Sequence, residues 1–212
     1  MLKHLLGDVV MNKLVVTAVL VLLAGCAGKV EYTPPSVSAG TNTKHVNKAK
    51  DAVWDQLVPA LSKNFFVVNT IDKSSGLINI SYSGNPERYV DCGEFHSYVK
   101  NARGERNYRF NAAVENVAYE TFVNNALLAH QRKVSLDGRM NIVVEPAGKA
   151  ESNVTVNTRY VLSITDVERD IEGHTANLSN TISFNSGGSG QGQTITCRPN
   201  GEFEKQVLEL VN

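Results

Sequence analysis

Residues 154–164 restrict the fold more than any other stretch. Val154, Val156, Thr158, Tyr160, Leu162 and Ile164 alternate with Thr155, Asn157, Arg159 and Ser163. A period of two sends these sets to opposite faces of a strand. One buried face and one wet face is the habit of an antiparallel sheet, whereas parallel strands are apolar on both sides. Upstream, Val134, Leu136, Met140, Ile142 and Val144 keep one parity across Gly138, giving one long strand or a tight hairpin. Downstream, Ala176, Leu178, Ile182 and Phe184 continue the theme.

Toward either end the period changes to that of a helix. Val46, Ala49, Val53, Leu57, Ala60 and Leu61 form one stripe, predicting a helix over 46–63. Thr43 is its expected N-cap, Trp54 flanks the stripe, and Pro59 should kink it by removing a donor and crowding the previous turn. Phe203, Val207, Leu210 and Val211 make the stripe of a last helix over 201–211. Asn200 suits its cap, and Glu202 and Glu204 suit the positive end of its dipole.

Between the helices, 65–71 and Ile78, Ile80 and Tyr82 flank turn residues 72–76 as a hairpin. The stretch 85–106 reads as polar and irregular, whereas Tyr108, Phe110, Ala112 and Val114 alternate. Residues 119–130 fit a short helix or a strand and loop, with strand preferred, and 194–197 make a short final strand. The glycine-rich 186–192 is a flexible turn, since no Lys-Ser/Thr follows to make it a phosphate cradle. The expected fold is α+β: an antiparallel β-meander with an N-terminal and a C-terminal helix packed on one face.

The chain starts with a different kind of signal. Asn12 and Lys13 precede the apolar run 14–23, which falls short of the ~20 residues that span a bilayer. The run ends in Leu23-Ala24-Gly25-Cys26, which resembles the lipobox of bacterial lipoproteins. That resemblance implies cleavage before Cys26, lipidation of its thiol and acylation of its amine, enough chains for stable anchoring. It also implies a Gram-negative envelope, with Ala27 sorting the protein to the outer membrane and the domain facing the periplasm. Asp8 interrupts the leader, so Met11 is the expected true start. Residues 26–45, rich in Pro, Ser, Thr and Gly, read as a lipidated cysteine and flexible tether, followed by one globular domain over 46–212.

Removing residues 1–26 takes Lys3, Lys13 and Asp8 from totals of 21 basic and 21 acidic side chains, leaving a net charge of −1. That balance offers no footprint for nucleic acid and no polybasic patch for a membrane surface. Two further cysteines remain, Cys92 and Cys197. In an oxidising compartment they are expected to form a disulfide, the alternative being two buried thiols. Neither has a Cys or His at metal-ligand spacing, and no metal or other cofactor is expected.

A second resemblance covers residues 46–82. A Trp-bearing helix, a strand, Ser75-Gly76-Leu77-Ile78 and another strand is similar to the repeat unit of the helix-grip lipoproteins of outer-membrane barrel assembly. It implies a helix-grip fold and a protein partner in the envelope.

Motifs for catalysis are sparse. The histidines His4, His45, His96, His130 and His174 never fall at i, i+3 or i+4, and there is no G-x-S-x-G elbow. The run 168–172, with Glu168, Arg169, Asp170 and Glu172, reads as a solvated turn. Asp91-Cys92-Gly93-Glu94-Phe95-His96 is the densest functional group, in which Cys92 is either a disulfide half or a thiol assisted by His96. The expected role is a non-enzymatic binding or envelope-assembly module. The alternatives are a carrier of a small apolar ligand, with a cavity of at least ~300 Å³ between helix and sheet, and an envelope hydrolase. A hydrolase would need a cleft holding His96 or His130 with a carboxylate and shifted pKa values.

Overall fold

Two long strands form the spine of the molecule: β9 (Ala126–Pro146) and β10 (Ser152–Arg169), paired antiparallel from Ser152↔Pro146 to Arg169↔Ala129. The computed structural model describes residues 27–36, 40–64 and 66–211. Along the outer edge of β9, β8 (Asn116–Val123) pairs with its first part and β4 (Leu77–Gly84) with its second. Along the outer edge of β10 lie β2 (Thr43–Val46) and then β11 (Thr175–Asn185). With β3 (Val67–Asp72) outside β4, these make a seven-stranded sheet. A three-stranded sheet orders β1 (Ala27–Thr33), β6 (Glu94–Asn101) and β7 (Gly104–Asn111). A third, minimal sheet joins β12 (Gly190–Gln191), β13 (Thr196–Pro199) and β5 (Val90–Asp91).

One face of the long sheet carries the core, because the even positions of β4, β9, β10 and β11 all point to it. Ile78, Ile80, Leu136, Met140, Ile142, Val154, Val156 and Leu162 are completely buried there. Half of this face is covered by α1 (Lys50–Lys63), through Val53, Trp54, Leu57 and Leu61, and by α2 (Glu202–Glu209), through Phe203 and Val207. Gly138 is the socket for α2: an added Cβ would lie 3.3 Å from Phe203 Cε2 and Cζ. Around that ring stack Tyr89 at 3.6 Å and, edge-on, Tyr82 at 5.1 Å. Beside it the carboxylate of Glu204, itself buried, accepts the Tyr160 hydroxyl at 2.8 Å and the Ser186 hydroxyl at 2.6 Å. Sequence placed Glu204 at the helix dipole; the structure places it inside, with donors that offset its desolvation.

This architecture corrects the expected fold class. Strands take up 59% and helices 12% of the described residues, so the molecule is mostly β, with several sheets and two short helices. It is neither a meander gripped by two helices nor helix-grip-like. The tether reading is also corrected over its described part, because Ala27–Thr33 pairs with β6 along its whole length. Tyr32 fixes that strand: its hydroxyl lies 2.9 Å from the Cys92 carbonyl and accepts the Thr196 N–H at 2.9 Å. Thr43 opens β2 instead of capping the helix, and α1 begins at Lys50 after Ala49. Pro59 is accommodated within α1 on its exposed side.

The stretch read as irregular holds β5, β6 and the start of β7. The 134–144 segment is one strand, part of β9. The ambiguous 119–130 is a hairpin, turned at Asn124 and Asn125, both with φ near +60° (50° and 64°). Two consecutive residues of positive φ are the mark of a type I′ turn, and asparagine tolerates that conformation. The glycine-rich loop is partly strand: Gly190 pairs with Cys197 and is buried where a Cβ would strike Ile182 at 2.6 Å. Asn200 does accept the Glu202 N–H at 3.0 Å, although Gly201 is the helix N-cap residue. Cys92 and Cys197 are joined in a disulfide 105 residues apart in sequence. The leader and Cys26 lie outside the described residues, and among those described no helix is long and apolar enough to cross a membrane.

Candidate ligand-binding cleft

The core face of the long sheet continues past the helices, and there its character changes. Extending the even parity of β9 backward from Val134 reaches Arg132, His130 and Leu128; extending β10 forward from Ile164 reaches Asp166 and Glu168. On β8 the matching positions are Tyr119 and Thr121. Charged and polar groups thus occupy positions whose register points inward, and Arg132, His130 and Thr121 are each at least nine-tenths buried. The three-stranded sheet lies over this end. Ser97 donates to the Glu120 carbonyl at 2.6 Å, Arg106 pairs with the Glu120 carboxylate, and Gly28 abuts Phe122.

Between the sheets is a cleft of about 350 Å³. Its apolar wall comprises Val30, Phe95, Val123, Leu128, Ile164, Leu178 and Ile195. Val30, Val123 and Leu178 form an exposed rim at 40%, 43% and 50% accessibility, so the apolar lining continues out to solvent. An aromatic series, Phe95 on Phe110, Phe110 on Tyr119 and Tyr119 stacked 4.4 Å from His130, carries packing down to the polar floor.

On that floor His130 is held from both sides. Nδ1 lies 3.1 Å from Asp166 Oδ2 and Nε2 lies 2.9 Å from Thr121 Oγ1. A carboxylate only accepts, so Nδ1 carries the proton and, in the neutral ring, Nε2 accepts from the threonine hydroxyl. Tyr119 also donates to Asp166 Oδ2, at 3.3 Å. Burial, reinforced by the Asp166 charge, pushes the Tyr119 phenol well above its ordinary pKa, so it stays protonated. Burial pulls the Arg132 guanidinium below its usual value, partly offset by Tyr119 and Asp166.

Two charged atoms are left over. Arg132 Nη1 and Asp166 Oδ1 are buried without a hydrogen-bond partner. Such atoms typically cost ~1–3 kcal/mol each, and more when charged, unless something satisfies them. Arg132 and Asp166 stand opposite each other in the β9–β10 ladder, yet form no ion pair.

A metal could find donors here, since His130, Asp166 and Glu168 bring one ligand atom each within 4.8 Å. The guanidinium beside Asp166 opposes a cation at that point, and Nδ1 is already engaged by the same carboxylate. The other such cluster, Asp170, Glu172 and His174, is the β10–β11 turn itself, where Asp170 Oδ1 accepts the backbone N–H of Glu172 and His174 at 2.9 Å.

The residues singled out from sequence fall elsewhere, with two exceptions. Cys92 is in the disulfide and has no thiol for His96 to assist. His96 lies on the other face of β6, between Glu31 Oε2 at 3.1 Å and Asn107 Oδ1 at 2.6 Å. His130 is in the cleft, and Glu168, expected in a solvated turn, lines the cleft from the end of β10. Arg132, Asp166, Tyr119 and Thr121 were not recognised as site residues. A signal existed: charged residues in phase with an apolar set two, four and six positions away. The expected cavity between helix and sheet is filled by Val53, Leu57, Leu61, Phe203 and Val207, all completely buried. No known family model, curated protein or solved structure matches the chain.

Proposed function

We propose that the chain is an outer-membrane lipoprotein of a Gram-negative envelope, anchored through Cys26, whose periplasmic domain is a non-enzymatic binding module for a small amphiphile. The observation that carries this reading is the cleft: an apolar wall with an open apolar rim, over a floor of polar and charged side chains, Thr121, His130, Arg132 and Asp166. Pockets of this size, mostly apolar with a few convergent polar groups, are the usual form of small-molecule sites. Its position agrees with the anchor. Cys26 is bonded directly to Ala27 at the start of β1, and Gly28 packs on Phe122, next to Val123 on the cleft rim. In sequence the proposed lipid attachment point therefore comes immediately before the strand that packs beside the cleft.

Two measurements test this. Mass spectrometry of the N-terminal peptide should show diacylglyceryl and acyl groups on Cys26; an unmodified thiol or an uncleaved leader refutes the anchor. The fluorescence of N-phenylnaphthylamine should rise with wild-type protein and not with Leu128→Trp, which fills the cleft from its wall. An equal rise with both proteins refutes the site.

One observation favours a second reading. Thr121, His130 and Asp166 form a hydroxyl–imidazole–carboxylate chain with the connectivity of an activated nucleophile. It ranks second because the threonine hydroxyl is buried within a strand. Hydrolysis of a chromogenic acyl ester that is lost in Thr121→Val would promote it; no turnover by the wild type removes it.

A further inference from the structure

Three hairpin turns and the first described strand converge on one end of the molecule. Arg169 at the close of β10 pairs with Ala129, near the start of β9, so the β10–β11 turn lies beside the β8–β9 turn. Asn101↔Gly104 closes the β6–β7 hairpin, and the preceding Lys100 pairs with Ala27, the first residue of β1. Gly28 abuts Phe122, which pairs with Leu127 next to the β8–β9 turn. The connection between β9 and β10 lies at the opposite end of the ladder.

Resting on the reading of Cys26 as a lipid anchor, we infer that this end is a membrane-contacting surface whose turns lie on a bilayer of zwitterionic lipid. Cys26 immediately precedes Ala27 in sequence, so a chain anchored through it enters the fold at this end.

The turns carry apolar side chains outward. Ile171, in the β10–β11 turn, is 81% exposed, the most of any large hydrophobic residue among those described, and Val123 opens the β8–β9 turn. Behind them Leu178 and Val30 continue the apolar character to the cleft. Single exposed hydrophobes are ordinary; their grouping around one end, continuous with an apolar cleft, is the mark of a contact surface. The other exposed large hydrophobes among the described residues, Val67 and Ile71, lie on β3, outside this end.

The charges set the class of lipid. Lys100, Arg103 and Arg169 balance Glu105, Asp170 and Glu172, which leaves no polybasic patch to draw this end to anionic head groups. Asp170 is turned to its own loop, where its carboxylate accepts the backbone N–H of Glu172 and His174 and meets the His174 ring. The contact therefore relies on apolar area, and a small area suffices because the anchor makes the contact intramolecular.

The test uses the full mature chain, reconstituted through its own lipid into phosphatidylcholine vesicles with or without bromine on the upper acyl chain. Tryptophan is introduced singly, as Ile171→Trp, Val123→Trp or Ile71→Trp. All three sites are exposed, and wild-type protein measures the background from the buried Trp54. After subtraction of that background, emission from Ile171→Trp and Val123→Trp should fall about two-fold in brominated vesicles, while that from Ile71→Trp stays unchanged. Adding phosphatidylglycerol should not deepen the quenching; deeper quenching would overturn the zwitterionic assignment. If the protein floats with the vesicles and the three positions respond alike, all quenched or none, the surface is refuted while the anchor stands. If the protein does not float, the anchor reading fails and the inference with it.

Discussion

Replacing Gly138 by alanine would place a methyl 3.3 Å from Phe203 Cε2 and Cζ. Whether that costs stability depends on whether the ring can yield. Tyr89 stacks on it at 3.6 Å, Tyr82 closes another side at 5.1 Å and Tyr160 lies at 5.8 Å, so there is no free direction. Crowding a packed site of this kind costs ~1–3 kcal/mol. The loss of glycine's freedom in the unfolded chain returns about 0.4–1 kcal/mol. The net expectation is a destabilisation of roughly 1–2 kcal/mol. Phe203→Leu removes Cε2 and Cζ, the atoms that the methyl would strike. In that background Gly138→Ala should change sign and stabilise by up to about 1 kcal/mol, a coupling inside the ordinary range for contacting residues. Urea unfolding of the four proteins with an unchanged denaturant slope measures this directly. If alanine costs the same in both backgrounds, to within about 0.5 kcal/mol, Gly138 is not the socket for α2.

Tyr160→Phe should destabilise by about 1–3 kcal/mol, because it leaves the buried Glu204 carboxylate with one donor fewer; thermal unfolding at neutral pH reads the loss. Burial raises the phenols of Tyr89, to about 12, and of Tyr119 and Tyr160. Phenols raised on folding are protonated in both states below the unfolded pKa near 10 and hold their proton more tightly in the folded state above it. Stability should therefore be flat with respect to these groups below pH 10 and fall as pH rises through 10 to 12, with a shallower fall in Tyr160→Phe. Removing the disulfide through Cys92→Ala and Cys197→Ala should lower stability by about 2–4 kcal/mol, measured by urea midpoint, whereas no change would mean that the strands alone hold β5 to β13.

The long strands were legible because their own side chains carry the period: Val154 to Ile164 needs no partner to be recognised. Where strand character comes from neighbours, sequence was mute. In β6 the alternation is masked by Glu94, His96 and Lys100, and the strand exists because β1 and β7 flank it. The same holds for β1, whose Lys29 and Glu31 look like linker residues until Tyr32 is seen fastened to Cys92 and Thr196. Asn124-Asn125 was a readable type I′ turn signal that would have resolved 119–130 as a hairpin. Helical spacing located both helices but not where α1 begins, since Val46 joins the core from β2 instead. The fold class was misjudged because these unrecognised strands are the ones that turn a helix-covered sheet into a multi-sheet molecule. The cleft is hard to see in sequence because its floor breaks the apolar pattern: Arg132 and Asp166 lie two residues beyond Val134 and Ile164, where the apolar alternation stops.

Native mass spectrometry of the protein gently released from its own membrane tests the cleft as a site of occupancy without choosing a ligand in advance. One small molecule per chain is expected on the wild type, and its loss from Leu128→Trp isolated in the same way. Bare protein in both samples, or the same adduct retained by the variant, would contradict it.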